Sequence, residues 1–123
     1  MVANMTRLLL FFALVSSCQS NYTLNFKFEN IDTIQVYKIE NGVSELVEQF
    51  YEENIIKEFV DEYVNKSSFE IVKFMPDYEI KLETKSQTYT ILAKSDLLKY
   101  EGRSYRAKSR LGDLINKLKN KED

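Results

Sequence analysis

Histidine is absent from this chain, and cysteine and proline occur once each. Without histidine, the commonest metal ligand and the commonest general acid–base group are both missing. A single cysteine excludes an internal disulfide framework and a thiolate metal site. One proline, no internal repeat and no low-complexity tract leave nothing that reads as a linker between domains. The three glycines, Gly42, Gly102 and Gly112, are too scattered for a phosphate-binding loop, and nucleophile-elbow, Ser-x-x-Lys and calcium-loop patterns are missing too. No apolar run reaches the roughly 20 residues that a membrane-spanning helix needs. The residues call for no metal and no cofactor.

The most apolar stretch is Leu8–Val15, eight residues preceded by one basic side chain, Arg7, and followed by Ser16, Ser17 and the lone Cys18. A short basic region, a short apolar region and small residues describe a secretory signal peptide. The run Val15-Ser16-Ser17-Cys18 resembles the lipobox of bacterial lipoproteins: an aliphatic residue, two small residues and a cysteine. The resemblance covers residues 1–18 and implies that Cys18 receives a diacylglycerol on its sulfur, that cleavage falls before it, and that the new amine is acylated. It implies a partner as well, the membrane lipid reached through Cys18. The implied location is the cell envelope, on the non-cytoplasmic side of a bacterial membrane. The expected organisation is a signal peptide over 1–17, a lipidated N-terminus with a short tether or first strand over 18–30, and a single domain over 31–123.

Beyond the signal, the patterning is that of a small α+β domain. Tyr22, Leu24, Phe26 and Phe28 alternate with polar residues, the period of a half-buried strand. Thr33–Ile39 and Val43–Tyr51 read as a hairpin joined by Asn41-Gly42, which suits the positive-φ positions of a tight turn. Asn54 is placed to cap a helix over 55–65. There Ile55, Phe59 and Tyr63 recur every four residues beside Ile56, Val60 and Val64, a core-facing stripe. Strands are expected at Phe69–Met75, Tyr78–Glu83, Thr88–Lys94, Leu97–Tyr100 and Arg103–Ala107. Ser109 would then cap a closing helix with Leu111, Leu114, Ile115 and Leu118 on one face. Neighbouring strands with short connections predict an antiparallel sheet of about five to seven strands with both helices on one face.

Charge is unevenly spread. Residues 29–70 hold eleven acids against three bases, and residues 94–123 hold nine bases against five acids. The segment Lys94–Arg110 is the basic face expected to turn toward a membrane. Tyr100, Arg103, Tyr105 and Arg106 form the candidate binding patch, since tyrosines among basic residues can stack on sugars or clamp an extended partner. The acids Glu58, Asp61 and Glu62 share helical spacing, and Asp77 and Glu79 flank a turn. Two function classes follow. One is a lipid-anchored, non-catalytic binding module that contacts a protein or an envelope polymer. The other is a small glycan-acting enzyme working with carboxylates alone. Nucleic acid is not an expected partner for an exported chain of slightly negative charge.

Overall fold

The computed structural model describes residues 22–121. Val15, Ser16, Ser17 and Cys18 lie outside the described residues. Seven strands form one sheet: β1 (Thr33–Glu40), β2 (Val43–Phe50), β3 (Ser68–Phe69), β4 (Tyr78–Glu83), β5 (Thr88–Lys94), β6 (Leu97–Tyr100) and β7 (Arg103–Arg106). Their order is β2-β1-β4-β5-β6-β7-β3, and every pairing is antiparallel. Helix α1 (Glu53–Val64) carries the chain from β2 at one edge to β3 at the other, and α2 (Leu111–Lys119) follows β7. This is the α+β architecture expected from the patterning.

One face of the sheet carries the core. Ile34, Val36, Phe50, Ile80, Leu82, Ile91, Ala93, Leu98 and Tyr105 point to it and are buried. They join Ile55, Ile56, Phe59, Val60, Tyr63 and Val64 of α1 and Leu111, Leu114 and Leu118 of α2 in one cluster. The two helices are also tied by charge, since Lys117 and Lys121 both reach Glu58. Alternation along the strands leaves the other face to Gln35, Tyr37, Glu79, Lys81, Lys99, Ser104 and Arg106, and none of these is buried.

The hairpin turns follow their residues. Asn41 and Gly42 have φ of 50° and 76°, and Glu101 and Gly102 have 50° and 78°. Two consecutive positive φ values are the type I′ geometry that matches strand twist. At the β2 edge the register slips between Val36 and Tyr37, which pair with Glu48 and Leu46, so Val47 is left over as a bulge. A bulge on an edge strand twists its free hydrogen-bonding groups away from other chains.

Helix α1 changes form midway. Glu53–Glu58 is α-helical, and Phe59–Val64 is a π-helix in which the Asn65 N–H donates to Val60 O at 2.8 Å. An α-helix turns every 3.6 residues, so a strict four-residue spacing drifts around it. The wider π turn takes up that drift and keeps Ile55, Phe59 and Tyr63 on the core.

Four local expectations are corrected. Residues 22–27 pair with no strand, and 28–30 form a 3-10 turn. Of the expected Phe69–Met75 strand only Phe69 lies in the sheet, in a two-residue strand that starts at Ser68. Beyond Glu70 the chain lifts off β7, because Ser104 Oγ donates to Glu70 O at 2.6 Å and accepts from the Val72 N–H at 3.2 Å. Asn54 is no cap: α1 starts at Glu53, and the Ile55 and Ile56 N–H groups donate to Glu52 O. Ser109 is no cap either, since the Leu111 N–H donates to Ser95 O at 2.9 Å, which ties the start of α2 to the β5–β6 turn.

Candidate functional site

Three of the four patch residues come together. Tyr100 and Arg103 pair across the β6–β7 turn, and Tyr105 lies on the same face. Arg106 does not join them. The strand period puts it on the opposite face, where Nε meets Glu70 at 2.5 Å and Nη1 meets Asp96 at 2.9 Å. The wider basic segment is divided as well. Lys99 and Arg103 stand at the β6–β7 turn, while Lys94, Lys108 and Arg110 stand at the other end of the sheet, where β5 and β7 finish.

The face shared by Tyr100, Arg103 and Tyr105 is covered by the N-terminal segment of the same chain. Phe26 packs edge-on between Tyr89 and Tyr100, with ring centroids 5.2 and 5.1 Å away. Tyr22 lies 4.8 Å from Phe69, whose ring is 6.1 Å from Tyr105, and the Arg103 guanidinium sits 4.1 Å over the Tyr22 ring. Leu24, between them, is buried. Asn65 at the end of α1 fixes the segment, donating from Nδ2 to Phe26 O at 2.7 Å and accepting the Phe26 N–H on Oδ1 at 2.8 Å. Burial pushes the Tyr100 and Tyr105 hydroxyls up from their ordinary range.

What remains open is a groove of ≈ 220 Å³ between this segment and Tyr100, Glu101 and Arg103. On the outer face a second groove of ≈ 460 Å³ lies between Ile71–Phe74 and the β6–β7 turn, with Lys99 and Ser104 in its wall. Both are open surface grooves, and the first falls below the roughly 300–1,000 Å³ range of small-molecule pockets. The sequence reading missed the parts played by Tyr22, Phe26, Phe69 and Ile71. The Tyr22–Phe28 alternation is a signal for the first two, since it marks an inward-facing side whatever the segment packs on, and no spacing marks Phe69 or Ile71.

The carboxylates are held separately. Glu58 accepts from Lys121 and also meets Lys117 at 3.3 Å; the Lys121 hydrogen bond, opposed by partial burial, holds its carboxyl below the usual range. A general acid needs the opposite shift. Glu62 is paired with Lys66 at 2.6 Å. Asp77 and Glu79 lie beyond α1, at the start of β4, where Glu79 meets Lys81 at 3.5 Å. The Tyr63 hydroxyl is buried with no hydrogen-bond partner among the described residues, and burial raises its pKa. Among the described residues no cluster of three or more His, Cys, Asp or Glu side chains could hold a metal ion, and no helix is long and apolar enough to cross a membrane. No protein-family model, curated protein or solved structure matches the chain.

Proposed function

We propose that this chain is a lipid-anchored envelope protein. In this reading, acylation at Cys18 holds a small non-catalytic binding module at the non-cytoplasmic surface of a bacterial membrane. The observation that carries it is the Val15-Ser16-Ser17-Cys18 run, which ends four residues before a segment packed on the domain core. Two or more acyl chains anchor a protein stably, where a single chain holds it only marginally. A binding role, rather than carboxylate catalysis, is favoured because Glu58 and Glu62 are engaged by lysines and Asp77 lies on a different element. The open grooves beside the β6–β7 turn suit an extended or surface partner better than an enclosed substrate.

Mass spectrometry of the mature N-terminus tests the anchor. The expected product starts at a diacylglyceryl-modified, N-acylated Cys18, and Cys18→Ala accumulates precursor or a differently cut form. An unmodified N-terminus at another residue overturns the reading.

A further inference from the structure

The β6–β7 end of the sheet gathers exposed apolar surface and cations that have no carboxylate partner among the described residues. Ile71 is 89% exposed, and Phe69 and Tyr22 keep 37% of their surface. Lys73, Lys99 and Arg103 are exposed around them, and no carboxylate pairs with them among the described residues. Of the two nearby acids, Glu70 is taken by Arg106, which leaves Glu101 alone at the turn. In the extended 70–75 segment, Val72 and Phe74 are half-buried while Ile71 and Lys73 project outward, so the segment offers alternating apolar and basic side chains to solvent.

We propose that this end of the domain rests on the surface of an anionic bilayer, with Ile71 entering the headgroup layer and Lys73, Lys99 and Arg103 meeting lipid phosphates. The proposal rests on acylation at Cys18. Tyr22 is pinned here by Phe69 and Arg103, and only Gln19, Ser20 and Asn21 separate it from Cys18. Four steps of at most about 3.6 Å hold Tyr22 within roughly 15 Å of the lipidated sulfur. The anchor therefore draws this end, and not the Asn41-Gly42 end, against the membrane. Basic side chains there gain from the negative surface potential, and an exposed isoleucine gains by leaving water.

The test uses the full acylated chain in vesicles of zwitterionic and anionic phospholipid. Acylation makes the Cys18 sulfur a thioether, so Ile71→Cys or Val43→Cys adds the single free thiol for a fluorophore. Val43 is the control, being exposed at the opposite end of β2. Lipids with a headgroup-depth quencher should extinguish the label at position 71 and spare the one at 43. Lys73→Glu with Lys99→Glu should lower the docked population about fivefold per charge. Acylated protein with equal quenching at 71 and 43 overturns the docking and leaves the anchor standing. An N-terminus without acyl groups overturns both. Protection of position 71 in native membranes but not in pure lipid means a protein covers this end, and that also overturns the proposal.

Discussion

Asn65 gives Phe26 the two hydrogen bonds that a neighbouring strand would give. Its Nδ2 donates to the Phe26 carbonyl at 2.7 Å and its Oδ1 accepts the Phe26 N–H at 2.8 Å. One side-chain amide thus completes the backbone of a segment that no strand pairs. Asn65→Leu removes both bonds and strands two part-buried backbone groups. At about 1 kcal/mol net per bond, the variant should lose roughly 2 kcal/mol in urea unfolding. Limited proteolysis between residues 22 and 30 should also accelerate, whereas the wild type resists. Equal cutting in the two proteins would show that Asn65 does not hold the segment.

Phe59 is fully buried, with Phe50 6.4 Å and Tyr63 5.4 Å from its ring. Phe59→Ala should cost about 3–5 kcal/mol, a large share of a small domain's stability. A thermal melt reads this directly, and an unchanged midpoint would remove α1 from the core.

Glu58 sets an acid limit. Its folded carboxyl pKa lies below the unfolded value, first through the Lys121 hydrogen bond and then through Lys117. Its contribution is therefore present above the unfolded pKa of about 4.3 and is lost as pH falls through the folded pKa. Urea midpoints between neutral and acid pH should fall less steeply for Glu58→Gln than for wild type. Identical slopes would mean the helix-to-helix ion pairs add nothing.

Gly102 and Gly112 should respond oppositely to alanine. Neither Cβ would meet an atom within 4 Å, but Gly102 has φ of +78° and Gly112 lies in the first turn of α2. Gly102→Ala should lose about 1–2 kcal/mol through left-handed backbone strain, and Gly112→Ala should gain up to about 1 kcal/mol. Paired denaturation curves decide it, and loss of stability at both sites would contradict the helical placement of Gly112.

Strand positions were legible where pleat period and ladder coincide. Tyr78–Glu83, Thr88–Lys94 and Leu97–Tyr100 occupy the expected spans because each alternates and is bounded by a turn. The same period misled at Tyr22–Phe28, and the strand expected over Phe69–Met75 leaves the sheet after its first residue. Alternation reports which side faces inward and is silent on what pairs with the backbone, here Asn65 and Ser104. The caps failed for a related reason: a carbonyl from Ser95, remote in sequence, meets the first N–H of α2. In the candidate patch, Tyr100 and Arg103 meet across a local hairpin, which sequence can show. Their coverage by Tyr22 and Phe26 is a non-local contact, and no spacing announces it.

The crossing of α1 from β2 to β3 bears on the order in which the domain assembles. Residues 33–69 supply both flanks of the sheet, and residues 78–106 supply its middle as a meander of neighbours joined by short turns. The meander closes only small loops, whereas pairing Thr33 with Glu83 closes a long one at greater entropic cost. We therefore expect β4–β7 to act as the template on which both flanks are laid. A chain emerging N-terminus first cannot bury Ile34 or Phe59 until that template arrives. Pulsed hydrogen exchange during refolding should protect amides of Ile80, Ile91 and Leu98 before those of Ile34 and Val36, and the reverse order would place the nucleus in the first hairpin.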